Sequence, residues 1–135
     1  MKRMTDKIKQ VETYLKELKE IAPKSLDKYI SSLEKKAACE RYVEKIVEAV
    51  IDLAFIAIKE RKLRMPESDT DAFNILLENG IIDEAIALNL KKAKGMRNFI
   101  AHEYGEIDNK IVFNAISKEL GDDVKRFVDR LERTK

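Results

Sequence analysis

The chain has 135 residues, of which 44% are hydrophobic and 39% are charged, and its formal net charge is +2. This length and apolar content suit one domain with its own core, while only 4 Gly and 2 Pro argue against a turn-rich all-β fold. The single Cys excludes an intramolecular disulfide, and neither a signal peptide nor an apolar run of about 18 residues is evident. We therefore expect one cytoplasmic domain over residues 1–135, without contact to a membrane.

The first half of the chain predicts two helices. Apolar residues from Ile8 to Ala22 recur every three or four positions, and Pro23 ends that helix. Ser25 suits the N-cap of a second helix from Leu26 to about Leu63, because that stretch contains no Gly or Pro. From Val43 to Ile58 the second helix is apolar on nearly all sides. We expect that one chain cannot cover it alone, so the pattern predicts a partner subunit.

Asp52 interrupts this apolar run. A buried carboxylate needs a partner, and Arg97 is a candidate for that role. The alternative is that Asp52 lies on a solvent-exposed edge of the helix. The sequence leaves both interpretations open.

The second half predicts a loop over Met65–Thr70, a short helix from Asp71 to Glu78, and a fourth helix capped by Asp83. A break at Gly105 and at 108–109 precedes a last helix, which Gly121 is expected to kink. These elements predict an all-α, up-and-down bundle of about five helices.

Charge is distributed unevenly along the chain. The segment 65–90 carries acidic residues and no Lys or Arg, and a basic cluster lies on each side of it. The two clusters are Lys59, Arg61, Lys62 and Arg64, and then Lys91, Lys92, Lys94 and Arg97. They predict either one positive surface for a polyanion or two solvated helix ends.

The sequence lacks the motifs of several common enzyme classes. It contains no P-loop, no G-x-G-x-x-G and no G-x-S-x-G. One His and one Cys do not supply the usual ligands of a zinc site, so we expect neither a metal nor a cofactor.

The remaining constellation is Arg97, Asn98, His102 and Tyr104. An arginine fork binds phosphate well, and a histidine can move protons at neutral pH. Together they suit metal-free RNA cleavage by attack of a 2′-hydroxyl on the adjacent phosphate. Asn98 shares a helical face with His102 and would orient the imidazole. Arg97 and His102 leave a regular helix roughly 140° apart, so the arginine must reach round or the helix must loosen.

The stretch Arg97–Tyr104 resembles the R-x4-H-x-Y motif of HEPN-domain proteins, specifically the HepT toxin family. The residues Glu40-Arg41-Tyr42 and Ile51-Asp52, and the segments 73–76 and 80–82, resemble that family as well. The resemblance covers most of the chain. It implies a homodimeric helical bundle in which the motif helices face a shared cleft.

The same resemblance implies a metal-independent endoribonuclease that serves as the toxin of a toxin–antitoxin module. Arg97 and His102 would be catalytic. The antitoxin would be a minimal nucleotidyltransferase that silences the nuclease by attaching AMP to Tyr104, in a hetero-oligomer of toxin and antitoxin. Asn98 and Asp52 are supporting residues that the motif does not include. Two rivals remain: a non-catalytic subunit that docks a nucleotidyltransferase, and a purely structural dimer.

Overall fold

The computed structural model describes residues 2–102 and 108–134, and within them every regular element is helical. In chain order these are α1 (Lys2–Ile21), α2 (Leu26–Ser31), α3 (Leu33–Glu60), α4 (Asp69–Glu78), α5 (Glu84–His102), α6 (Asn109–Asn114) and α7 (Leu120–Arg133). A π-helical segment, Ala115–Glu119, joins α6 to α7. The predicted all-α bundle is confirmed. No helix in the described part of the chain is long and apolar enough to cross a membrane.

The predicted second helix is divided in two, because Ser32 has an extended backbone (φ −119°, ψ 103°) between α2 and α3. Its hydroxyl accepts a hydrogen bond from the Lys35 N–H at 3.2 Å and so caps α3. Ser25 caps α2 in the same way through the Lys28 N–H, as predicted. The prediction of one uninterrupted helix over 26–63 is therefore wrong at Ser32. This residue follows the end of α2 and caps the start of α3.

The last helix is irregular before Gly121 rather than at it. Around this segment the buried residues Val112, Ile116, Leu120 and Val124 each lie four positions after the last. An α-helix turns 400° in four residues, so each step would rotate the buried face by about 40°. A π-helical turn contains more residues than an α-helical turn, so the π segment reduces this rotation and keeps the buried face toward the core. Gly121 itself lies inside α7.

α3 is the central helix, and α1, α2, α4 and α5 pack around it. The apolar residues of its second half are buried within one chain, apart from the half-buried Phe55. The expectation that one chain cannot cover Val43–Ile58 is therefore wrong. The other helices supply that cover, so any dimer must be argued from a different surface.

Candidate functional site

The motif helix α5 begins at a well-formed cap and ends at the candidate histidine. The Ile86 N–H donates to Asp83 Oδ1 at 2.8 Å, which confirms the predicted cap. One face of α5 packs against α3, α4 and α7, and the residues that bury this face are Ile86, Ala87, Leu90, Ala93 and Ile100. Arg97 and His102 therefore both sit on a packed helix.

Arg97 lies on the packed side of α5, and its side chain is only 17% exposed. Its Nη2 is 3.8 Å from Asp69 Oδ2, at the first residue of α4. Its Nε is buried and has no hydrogen-bond partner in the described part of the chain. The contact of Nη2 with Asp69 is too long for a hydrogen bond, so the Nη donors keep bonding capacity for an anion.

His102 is the last residue of α5 and is exposed, whereas Asn98 one turn earlier is half-buried. Because α5 remains α-helical through His102, the helix does not loosen before the histidine. Arg97 and His102 therefore leave the helix on different sides, about 140° apart. Arg97 faces α4, and His102 lies on the exposed side. The role of Asn98 in orienting the imidazole stays a prediction.

Tyr104 lies outside the described residues, as do its neighbours in 103–107. Its accessibility and its role as the AMP acceptor stay predictions.

Asp52 is on an exposed edge of α3, with 59% of its side chain accessible. Its Oδ2 accepts from Lys7 Nζ at 3.3 Å, on the neighbouring α1. The interpretation of Asp52 as a buried carboxylate paired with Arg97 is therefore wrong, and the exposed-edge alternative is confirmed. The carboxylate beside Arg97 is Asp69.

Asp69 is the residue that sequence reasoning missed. It follows the N-cap Ser68, whose hydroxyl accepts from the Asp71 N–H. An acidic residue in the first turn of a helix is explained by the helix dipole alone. Nothing local therefore distinguishes Asp69 from Asp71, and only the packing of α4 on α5 shows that it faces Arg97.

The two arginines of the first basic cluster bind other parts of the fold, whereas its two lysines face solvent. Arg61 donates to the carbonyl oxygens of Leu131 and Thr134 and so fastens the end of α7 to α3. Arg64 forms paired hydrogen bonds of 2.8 and 3.0 Å to Asp71 and also binds Glu78. In contrast, Lys59 and Lys62 are exposed and form no ion pair or side-chain hydrogen bond with described residues.

The Arg64 contact has an electrostatic consequence for α4. Hydrogen bonds from the Arg64 guanidinium and the Glu67 N–H lower the pKa of Asp71 to about 2. Asp71 therefore stays ionised and holds the loop after α3 against α4, the helix that carries Asp69.

Comparisons with known proteins identify the same family over most of the chain. A family model described as ribonuclease HepT-like matches residues 11–131. The mRNA nuclease HepT of Shewanella oneidensis is 33% identical over 87 residues, which are 64% of this chain and 65% of that protein. The tRNA nuclease HepT of Aphanizomenon flos-aquae is 35% identical over 104 residues, which are 77% of this chain and 71% of that protein.

A solved structure has the same fold. The HEPN toxin of Shewanella oneidensis, in its tri-AMPylated form and in complex with an MNT antitoxin, superposes with a TM-score of 0.90. The two sequences are 25% identical, and the match covers 96% of each chain.

Proposed function

This chain belongs to the ribonuclease HepT-like family, and from that premise we propose that it is a metal-independent endoribonuclease, the toxin of a toxin–antitoxin module. The family match over residues 11–131 confirms the resemblance drawn from the motif. The HepT relatives are an mRNA and a tRNA nuclease, so RNA is the substrate class we assign to this chain. The proposed site of action is the cytoplasm, where both kinds of RNA are found.

One observation carries the proposal: the last two turns of α5 carry an arginine whose guanidinium forms no hydrogen bond with a described residue, its contact to Asp69 being 3.8 Å long, and an exposed histidine at the helix end. In the proposed reaction the 2′-oxygen attacks the adjacent phosphorus and loses its proton. The P–O5′ bond breaks, and the leaving 5′-oxygen takes up a proton. The products are a 2′,3′-cyclic phosphate and a 5′-hydroxyl. Arg97 stabilises the charge on the phosphate oxygens, and His102 handles protons.

A homodimer completes this site. Attack and departure each require a proton transfer, and each chain has one histidine. The exposed side of α5 that ends in His102 also presents Leu88, Lys92, Gly95 and Phe99. A two-fold contact across this side would bring two copies of the motif helix into one cleft. In such a dimer each active pair combines His102 of one copy with Arg97 of the other.

The proposed antitoxin is a minimal nucleotidyltransferase. The solved HEPN toxin of Shewanella oneidensis is AMPylated and bound to an MNT antitoxin. By analogy we assign Tyr104 as the residue that receives AMP and assign a hetero-oligomer of toxin and antitoxin as the silenced state. AMP on Tyr104 would add a negative phosphate to the proposed site, where it would compete with the RNA phosphate.

The second candidate function is a non-catalytic subunit that docks the nucleotidyltransferase. The observation that favours it is the low exposure of Arg97 together with its acidic neighbour Asp69, which a purely structural arginine would share.

Incubation of the purified protein with RNA separates the two functions. We expect cleavage that persists in EDTA, products with a 2′,3′-cyclic phosphate, and no cleavage of RNA that lacks 2′-hydroxyls. Arg97→Ala and His102→Ala should each lower the rate by at least about a hundredfold without loss of helicity. Wild-type cleavage by either variant would contradict the assigned site, and an inert wild-type protein would support the docking subunit.

A further inference from the structure

A groove of about 810 Å³ lies between the start of α1 and the end of α3, and the loop after α3 forms one of its walls. Four basic residues line it: Arg3, Lys7, Lys59 and Lys62. We propose that this groove binds the RNA strand next to the scissile phosphate. The inference rests on the proposed ribonuclease function and adds a second contact surface to it.

The charge of the groove favours an anion. Lys7 is compensated in part, because its Nζ contacts Asp52 Oδ2 at 3.3 Å and Gln10 Oε1 at 2.9 Å. Asp6 is the other acidic residue of the lining. Lys59 and Lys62 have no acidic partner among the described residues. The lining therefore keeps an excess of positive charge, while the neighbouring Arg61 and Arg64 are engaged in holding the fold together.

The floor of the groove offers apolar surface beside these cations. Phe55, the half-buried apolar residue in the apolar run of α3, lies in the lining, and so does Met65, which is 81% exposed. Single-stranded RNA needs cations for its phosphates and flat apolar or aromatic surfaces for its bases. This groove combines both, whereas an ordinary solvated helix end offers charge alone.

The groove is connected to the surroundings of Arg97 by the loop before α4. Pro66 belongs to its wall, and Asp69, three residues later, contacts Arg97. Three residues span at most about 11 Å. An RNA strand whose phosphate is held at Arg97 must continue beyond it, and the wall of the basic groove at Pro66 begins within that reach. This placement favours RNA over an acidic protein segment, which would have no need of Arg97.

The test compares two double variants that remove equal charge. Lys59→Gln with Lys62→Gln changes the groove, and Lys16→Gln with Lys19→Gln changes exposed residues farther along α1. Both are made in a His102→Ala background, so that a labelled 20-nucleotide RNA is bound but not cut. We expect the groove variant to bind at least about fivefold more weakly near 0.1 M salt. Its plot of log affinity against log salt should be shallower by about 1.4, which is the value for two lost phosphate contacts.

Turnover provides an independent measure with His102 intact. The groove variant should raise KM for the 20-nucleotide RNA and leave kcat unchanged, and it should cut a four-nucleotide RNA as wild type does. Arg3→Gln with Lys59→Gln gives a second groove variant that leaves the backbone at Lys62, where φ is +54°, untouched. Thermal melting checks the folding of each variant.

Equal weakening by the two double variants would overturn the inference, and so would a groove variant that binds RNA like its parent. A groove variant that keeps its RNA affinity but no longer binds the purified nucleotidyltransferase would show that the groove docks protein instead. These binding measurements do not depend on cleavage. Failure of the proposed ribonuclease activity would therefore be seen separately, as the absence of products from the wild-type protein.

Discussion

Arg97 Nη2 and Asp69 Oδ2 lie 3.8 Å apart across the contact between α5 and α4. At this distance the carboxylate attracts the guanidinium without forming a hydrogen bond. Asp69 therefore lowers the positive potential at Arg97 but leaves its donors available. An RNA phosphate that arrives at Arg97 meets this negative charge as a competitor.

We predict that Asp69→Asn strengthens RNA binding. Removing one negative charge beside a partly exposed arginine should lower KM about two- to fivefold, with a smaller effect on kcat. Steady-state cleavage of a short RNA measures both constants. Asp129→Asn, an exposed change of equal charge on α7, should leave KM within error. A higher KM for Asp69→Asn would show instead that the carboxylate is needed to position Arg97.

The Arg97–Asp69 contact also shows what the sequence could not provide. Cap residues such as Ser25 and Asp83 are readable because a helix start is satisfied by neighbours a few residues away. The partner of Arg97 is 28 positions away and depends on how α4 packs on α5. Asp52 was the more conspicuous acidic residue because it interrupts an apolar run, yet it faces solvent and Lys7.

Which residues bury an apolar helix likewise depends on how the whole chain packs. The pattern of α3 correctly predicts a helix buried on several sides, but it does not identify what buries it. The neighbours in one chain are sufficient, from Val43 through Ile58. The π segment was missed for a related reason. The sequence does contain apolar residues at four-residue spacing from Val112 to Val128. Gly121 is the more familiar signal of a bend, and it pointed to the wrong position.

A second prediction concerns the α5 face proposed for dimerisation. A Cβ atom added at Gly95 would meet no atom of another described segment within 4 Å, and the same holds for Gly121 on α7. Gly95→Glu should therefore leave the protomer folded and place a charge in the middle of the proposed interface. We expect light scattering to show a dimer for wild type and for Gly121→Glu, and a monomer for Gly95→Glu. A wild-type monomer at micromolar concentration would remove the basis for a shared site.

A third prediction follows from the divergence of Arg97 and His102 on a regular helix. If the active pair is formed between copies, a heterodimer of Arg97→Ala with His102→Ala regains one intact pair. Two affinity tags allow this heterodimer to be purified after co-expression. We expect it to regain cleavage that neither parent homodimer shows, at less than half of the wild-type rate, because one histidine must then serve both proton transfers. A heterodimer as inactive as its parents would contradict an active pair formed between copies with a single histidine.

A fourth prediction concerns acid stability. The pKa of Asp71 is about 2 when folded, below its ordinary value of 3.8, mainly because Arg64 donates two hydrogen bonds to it. The pKa is depressed, so the associated stabilisation is fully present above about pH 4 and is lost as the pH falls toward 2. Urea unfolding at pH 5.5 should therefore separate wild type from Asp71→Asn, and the difference should shrink at pH 2.5. Arg64→Met should remove the same pH dependence. If the difference does not change with pH, the contact does not stabilise the folded state.

The last prediction concerns control of the proposed ribonuclease through Tyr104. The chain has three other tyrosines, and they differ in access: Tyr29 is fully buried, whereas Tyr14 and Tyr42 are half-buried and pack edge to face. Tyr42 also donates a hydrogen bond to Glu17. We therefore expect a nucleotidyltransferase partner with ATP to attach AMP at Tyr104, with release of pyrophosphate. The mass of wild type should rise by one or more AMP units, and cleavage should stop.

Tyr104→Phe removes only the acceptor oxygen. This variant should still cut RNA, gain no mass and escape inhibition, while Tyr14→Phe should be modified and silenced like wild type. Intact mass spectrometry and RNA cleavage, measured on the same samples, test both statements. A Tyr104→Phe protein that gains as much AMP as wild type would place the control point on another residue. If it gains none and is still silenced, the partner inhibits by binding alone, since no phosphate would then compete with RNA for Arg97.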